Sequence, residues 1–138
     1  MAIVITKIQY PISKQAPSPK HPNSKRVFDL EKRTLIFSIN IIRLCKSLSS
    51  TPINRELIAQ VIRSGGSIGA NYREASDTGS KKDFVHRIRI ALREAKETEY
   101  WLQLIEEAHP ELDSQLEVLL KEVAELRKIL AAIMIKAA

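Results

Sequence analysis

The stretch that decides the fold runs from Ile62 to Ile105 and reads IRSGGSIGANYREASDTGSKKDFVHRIRIALREAKETEYWLQLI. In its second half, apolar or small residues recur at alternating steps of four and three: Phe84, Ile88, Ala91, Ala95, Thr98, Leu102 and Ile105. A heptad sustained over this length is typical of a long helix that packs against other helices along one side. The stretch therefore predicts the third helix of a helical domain, preceded by a turn.

The flanking segments show the same helical pattern. Thr51-Pro52 predicts the start of helix two, with a capping hydroxyl and a proline at the first helical position. The row Leu57, Val61, Ser64, Ile68 and Tyr72 continues the helix to about Ala75. Asp77-Thr78-Gly79 predicts a turn with a left-handed glycine, and Ser80 to Asp83 resembles a capping box. His109-Pro110 ends helix three. Helix four then carries its own heptad row: Leu112, Leu116, Leu119, Val123, Leu126, Leu130 and Ile133.

Helix one is predicted from Arg26, and the cluster Ser47–Ser50 ends it. Its apolar face is wide, with a central row of Phe28, Leu35, Ile39, Ile42 and Cys45, flanked by Leu30, Ile36, Ile41, Leu44 and Leu48. Residues 1–24 show no helical period and hold four of the six prolines, which favours a flexible, extended tail. Four helices with short connections alternate in direction. The sequence thus predicts an all-α, elongated, up-and-down antiparallel four-helix bundle over residues 25–138.

Composition limits the possible environment of the protein. Hydrophobic residues make up 44% of the 138 and charged residues 28%, which excludes global disorder. Cys45 is the single cysteine, so no intrachain disulfide forms, and its apolar neighbours predict a core residue rather than a reactive thiol. No apolar run reaches the roughly 20 residues of a membrane span. We therefore expect a cytoplasmic protein without membrane contact.

The net charge of +6 is unevenly distributed. Lys81 to Arg93 holds five Lys or Arg against one acid, Asp83, whereas Glu94 to Glu125 holds ten acids against two lysines. Antiparallel helices would collect positive charge at one pole and negative charge at the other. The predicted basic pole comprises Arg26, Lys32, Arg33, Arg73, Lys81, Lys82, Arg87, Arg89, Arg127, Lys128 and Lys136. The predicted acidic pole comprises Glu97, Glu99, Glu106, Glu107, Glu111, Asp113 and Glu117.

The basic segment supplies the candidate site. Nucleic-acid binding is predicted for Asn71, Arg73, Lys81, Lys82, Arg87, Arg89 and Arg93. Two plainer interpretations stay open: a solvated helix face, and C-terminal capping of helix two by Asn71 and Arg73. Gly65, Gly66 and Gly69 lack the context of a phosphate loop or an RNA-binding clamp, so they predict close approach of two helices.

No catalytic constellation stands out. No histidine lies three residues after a glutamate, metal-ligand spacing is missing, and no Ser–His–Asp set is recognisable. The sequence predicts no catalytic residue, no metal and no cofactor. Extra apolar residues on helices three and four predict a homo-oligomer: Ile90, Tyr100, Trp101, Val118, Ile129 and Ala132. A protein–protein adaptor is the alternative to a nucleic-acid-binding protein.

The runs SIGANYREA and SKKDFVHRIRIALREAKETEYWLQLI carry a family resemblance. They resemble bacterial four-helix-bundle proteins first noted as open reading frames within intervening sequences of large-subunit ribosomal RNA genes. The resemblance covers roughly residues 28–133, and Gly65-Gly66 departs from the Ser/Thr-rich pair expected there. It implies a bundle assembled into a homopentameric ring, no established enzymatic activity and a link to RNA. Relatives include the accessory protein of diversity-generating retroelements, a basic ring that binds nucleic acid.

Overall fold

The computed structural model describes residues 22–138, with side chains from residue 30 onward, and consists of four long helices. These are α1 (Pro22–Lys46), α2 (Pro52–Ser76), α3 (Lys81–Ala108) and α4 (Asp113–Ala137), with a 3₁₀ turn at Pro110–Leu112 before α4. No strand occurs in this part of the chain. The predicted all-α, antiparallel four-helix bundle is confirmed. Helix α1 begins at Pro22, and residues 1–21 of the predicted tail, like the side chain of Phe28, lie outside the described part.

Local chemistry fixes the ends of α2 and α3. Thr51 is extended, and its side-chain oxygen accepts from the backbone N–H of Asn54; Ser80 does the same for the N–H of Asp83. Each cap satisfies a donor that has no partner inside its helix, which contributes about 1 kcal/mol. The left-handed Gly79 was a wrong prediction, because no described glycine has a positive φ. The backbone of Asp77 instead closes the turn by donating to the carbonyls of Glu74 and Ala75.

The core contains the heptad rows predicted for α2, α3 and α4. Ile68, Ile88, Leu102 and Leu126 are completely buried, and full burial of such a side chain contributes roughly 1.5–3 kcal/mol. The other buried members of these rows are Val61, Ser64, Tyr72, Ala91, Ala95, Thr98, Ile105, Leu116, Leu119, Val123 and Leu130. These rows were predicted correctly because apolar and small residues recur along them at steps of three and four, although α4 also carries apolar residues on other sides, among them Ile135, which is 75% exposed.

The face predicted for α1 was right at Cys45 and at the flanking Leu30, Ile41 and Leu44, which are buried, but wrong at two central positions. Leu35 and Ile42 are 47% and 40% exposed, whereas Phe37 and Ile41 are 1% exposed. Thr34 and Asn40 are also buried. Between Leu35 and Cys45, apolar residues occur on several sides of α1, so periodicity alone does not select the side that faces the core.

Small residues on α2 select that side. A Cβ atom on Gly69 would lie 2.8 Å from Thr34 Oγ1 and 3.1 Å from Thr34 Cβ, and a Cβ atom on Gly65 would lie 2.5 Å from Ile41 Cδ1. These glycines therefore allow α1 to approach α2 closely, as the sequence predicts. The approach turns Thr34 and Ile41 inward and leaves Leu35 and Ile42 outside.

Contacts between helices establish the order around the bundle. Helix α2 packs on α1 and α3, and α4 packs on α3 and α1. The end of α2 lies beside the start of α3, since Glu74 pairs with Arg87, and beside the first half of α1, since Arg73 pairs with Glu31. The start of α3 is therefore far from the connection between α1 and α2, as the alternating topology requires. Helices α1 and α3 occupy diagonal corners.

Candidate nucleic-acid interface

The residues predicted to bind nucleic acid fall into two groups. One group lies between helices and is already paired. Arg87 forms an ion pair with Glu74 at 2.9 Å and donates to Asn71 Oδ1 at 3.3 Å. Asn71 Nδ2 in turn donates to the carbonyl of Ser67, and Arg73 lies 3.6 Å from Glu31. The charges of Arg73 and Arg87 are thus largely compensated within the fold.

The second group forms a continuous line on α3. Lys82, Arg89 and Arg93 belong to a set of exposed residues at steps of four, three, four, three and four, which we name the α3 stripe: Lys82, His86, Arg89, Arg93, Lys96 and Tyr100. The stripe lies on the opposite side of α3 from the buried row and spans roughly 27 Å at ~1.5 Å per residue. Lys81 is exposed beside its first member.

The cations of the α3 stripe have no acidic partner in the described part of the chain. The ion pairs found there use Arg33, Arg63, Arg73, Arg87, Lys121, Arg127 and His109. Four Lys or Arg side chains therefore lie on one line without an intramolecular counter-charge. Positive charge concentrated in this way attracts anions, because each exposed cation gains Coulomb energy from a phosphate and loses little hydration.

The binding residues predicted from the sequence did not include three members of the stripe, His86, Lys96 and Tyr100. Lys96 falls within the acidic segment, and Tyr100 was assigned to the extra apolar surface. The signal that finds them is the same three-and-four alternation, continued from Lys82 along the polar face of α3. Net charge per segment hides this, because acids on other sides of the helix are averaged with the cations.

Two acids of α3 beside the stripe, Glu94 and Glu97, are themselves paired. Arg63 of α2 pairs with Glu94 at 3.3 Å and also contacts Glu97. The indole N–H of Trp101 donates to Glu97 at 2.9 Å. Tyr100 packs against Trp101 with ring centroids 5.2 Å apart and planes at 73°. This network holds the aromatic end of the stripe in place.

The predicted separation of charge between the two poles is weaker than the sequence indicates. Arg33 pairs with Glu122 at 2.7 Å and Arg127 with Glu99 at 3.6 Å, both along the sides of the bundle. The predicted acidic pole also contains exposed cations from the connection between α1 and α2, namely Arg43, Lys46 and Arg55. Exposed cations that form no ion pair in the described part of the chain therefore lie both at the predicted basic pole and further along α3: Lys81, Lys82, Lys128 and Lys136 at the pole, and Arg89, Arg93 and Lys96 along the helix.

A groove of about 260 Å³ lies between α1 and α4. It is lined by Arg33, Ile36, Phe37, Asn40, Val118, Leu119 and Glu122. Asn40 Oδ1 is buried in this groove without a hydrogen-bond partner. Gln115 Oε1 of α4, which does not line the groove, is also buried without one. Cys45 is buried near the end of α1, and its burial raises the pKa of the thiol to about 12. The two charged residues of the groove, Arg33 and Glu122, form an ion pair with each other.

The described residues show neither a metal site nor a helix that could span a membrane. No cluster of three or more His, Cys, Asp or Glu side chains has an arrangement that would hold a metal ion. None of the helices there carries an apolar run that would cross a lipid bilayer. Fold and surface together define a helical-bundle protein whose marked feature is one cationic outer face.

Comparison with known proteins places this bundle in a family. The family model of the 23S rRNA-intervening sequence protein matches residues 28–132, and the chain belongs to that family. A crystal structure of a protein with unknown function from the S23 ribosomal protein family of Bacteroides thetaiotaomicron is similar, with 35% sequence identity and a TM-score of 0.69. The similarity covers 76% of this chain and 97% of that one. No curated protein matches the sequence.

Proposed function

We propose that this protein binds RNA, with little sequence selectivity, through the α3 stripe. The observation that supports the proposal is the line of Lys82, Arg89, Arg93 and Lys96, exposed and without acidic partners. Cations on a protein surface neutralise phosphates and release condensed counterions, which gives affinity without reading the bases. Phosphates occur in every nucleotide, so such a surface is indifferent to sequence.

A solvated face is the competing interpretation of this surface. Solvated helix faces usually interleave both signs of charge. On α3, the positions of the stripe from Lys82 to Lys96 hold no acid, and the nearby Glu94 and Glu97 are paired with Arg63 on another side of the helix. This segregation favours an anionic partner over solubility alone.

The proposal is tested by fluorescence anisotropy with a labelled single-stranded RNA of about 15 nucleotides. We expect binding at about 50 mM salt that weakens as salt increases, with a log–log slope of roughly −3 for four phosphate contacts. Reversal of two charges, Arg89→Glu with Arg93→Glu, is expected to weaken binding by about 30-fold or more at low salt.

The matched control is Arg43→Glu with Arg55→Glu, which changes the net charge equally at exposed positions away from the stripe. It should weaken binding by less than about threefold. Equal losses in the two double variants would assign the effect to net charge and would overturn the proposal. So would the absence of binding at low salt. Retention of one dominant protein instead of RNA in a pull-down would favour the adaptor alternative.

We further propose that the chain assembles with copies of itself, and the family resemblance implies five. Leu35, Ile39 and Ile42 form an apolar row on α1, and the first and last are exposed large hydrophobic residues. Helix α1 is diagonal to α3, so assembly through this row leaves the stripe accessible. Light scattering should give an oligomer for the native chain and a smaller species for Leu35→Glu with Ile42→Glu. A native monomer at micromolar concentration would contradict self-assembly.

A further inference from the structure

The α3 stripe ends in an aromatic side chain. Tyr100 takes the position that follows Lys96 in the three-and-four alternation and is 54% exposed. Leu104, one turn further on, is 36% exposed. Beyond them the charge changes sign at Glu106 and Glu107. These carboxylates repel a polyanion that follows the cations, so its backbone should leave the helix surface at this point.

The ring of Tyr100 is held in place by a contact with the neighbouring Trp101. It packs edge-to-face on Trp101, whose indole N–H donates to Glu97, and Glu97 is held by Arg63 of α2. An aromatic side chain held in this way loses little conformational entropy when a ligand packs on it. Exposure of half its surface leaves room for a planar group.

We propose that Tyr100 stacks on an unpaired base of a single-stranded nucleic acid whose backbone follows the α3 stripe. This inference rests on the proposed function, because the cations of the stripe must first hold the backbone. A base in a duplex is covered on both faces by its neighbours, whereas a base in a single strand can turn out and stack on an aromatic ring. The ligand class is therefore single-stranded RNA or DNA rather than duplex.

Stacking on Tyr100 explains why a line of cations and an exposed aromatic ring share one face of α3, which phosphate binding alone does not explain. A cationic surface needs no aromatic residue to bind phosphates. Nucleic-acid-binding surfaces that prefer single strands combine a basic track with aromatic side chains, and each stacked base contributes through its π face whatever its sequence. The stripe has both parts on one helix face.

The test compares Tyr100→Ala with Tyr100→Phe and uses Gln103→Ala as a control on the same exposed side of α3. The probes are a labelled single-stranded RNA of about 15 nucleotides, the same RNA annealed to its complement, and inorganic polyphosphate as a competitor. Tyr100→Ala should weaken binding of the single strand by about fivefold or more. Tyr100→Phe and Gln103→Ala should change it by less than about twofold, and the inhibition constant of polyphosphate should be the same for all variants.

Trp101 offers a second measurement, because it is the only tryptophan in the chain. A base stacked on Tyr100 lies beside the indole, so single-stranded RNA should alter tryptophan emission in the native protein and much less in Tyr100→Ala. Polyphosphate should leave the emission unchanged, since it carries no base.

The outcomes separate this inference from the proposed function. If Arg89→Glu with Arg93→Glu weakens RNA binding but Tyr100→Ala does not, the stripe binds phosphates and the stacking inference is wrong. If the arginine variant has no effect, the proposed function itself is wrong. If Tyr100→Ala changes the oligomer mass and weakens all probes equally, Tyr100 belongs to a contact between copies, which also overturns stacking.

Discussion

Thr98 Oγ1 of α3 lies 2.9 Å from Ser64 Oγ of α2, and both side chains are completely buried. Thr98 Oγ1 also lies 2.7 Å from the carbonyl oxygen of Glu94, its own helix's acceptor. This polar contact sits within an otherwise aliphatic seam, at the level where Gly65 brings α1 close to α2. Two hydroxyls in a core stabilise only while each has its partner.

We therefore expect Ser64 and Thr98 to be energetically coupled. Thr98→Val leaves the Ser64 hydroxyl with only a long contact of 3.5 Å to the carbonyl of Val61, so it should lower the free energy of unfolding by about 1–2 kcal/mol. Ser64→Ala should have a smaller effect, because Thr98 keeps the Glu94 carbonyl. The double variant should lose about 1 kcal/mol less than the sum in urea unfolding. Strict additivity would contradict the coupling.

The glycines of α2 should respond to alanine with opposite signs. Gly66→Ala meets only Ser38 Oγ, at 3.6 Å, so the gain in helix propensity should raise the free energy of unfolding by up to about 1 kcal/mol. Gly69→Ala meets Thr34 Oγ1 and Cβ within 3.1 Å, so overpacking should lower it by about 1–3 kcal/mol. Thermal unfolding of both variants checks this. A Gly69→Ala variant as stable as the native protein, or more stable, would contradict the close approach at Gly69.

Arg87 and Arg89 should separate stability from binding. Arg87→Ala breaks contacts to Glu74 and Asn71, but these are partly exposed, so we expect a loss of about 0.5–1 kcal/mol in unfolding and little change in RNA affinity. Arg89→Ala has no ion pair to break and should weaken RNA binding severalfold with no change in stability. Anisotropy and urea unfolding on the same samples give both values. A reversed pattern would mean that the cross-helix network, not the stripe, contacts the ligand.

Cys45 should make stability depend on alkaline pH. Burial raises the pKa of this thiol to about 12, so the folded protein keeps a proton that the unfolded chain loses above about pH 9. Its contribution to the free energy of unfolding is complete below pH 9 and decreases between pH 9 and 12. The stability difference between the native protein and Cys45→Ala should shrink over that range in urea unfolding. A difference independent of pH would contradict the burial effect.

Asn54, near the start of α2, should contribute strongly to the free energy of unfolding. It is buried, its Nδ2 donates to the Ser49 carbonyl at 2.9 Å, and its Oδ1 lies 2.7 Å from His109 Nε2. It thus joins the connection before α2 to the end of α3. Asn54→Leu removes both hydrogen bonds and should lower the free energy of unfolding by about 2–3 kcal/mol. The neighbouring Arg55→Ala should change it by less than about 0.5 kcal/mol, and equal effects would contradict the proposed role.

The candidate site was predictable in part. Lys82, Arg89 and Arg93 follow from charge density along one segment, and continuing the alternation reaches Lys96 and Tyr100. Distinguishing Arg87 from Arg89 was impossible from the sequence, because the acid that pairs with Arg87 comes from another helix. Asn54 gave no signal either, since its two partners are brought together only by the turns at the same end of the bundle.

The sequence by itself determined that four helices form, where α2 and α3 begin, and which side of α2, α3 and α4 is buried. Those features depend on local caps and on apolar rows at steps of three and four. Both are encoded by residues that lie close together in the sequence. Tertiary structure alone decided the buried side of α1, which turns on the space left by Gly65 and Gly69. It also decided which cations remain without an acidic partner. Ion pairs between helices depend on distances that are set by packing, and these distances cannot be read from the order of residues in the chain.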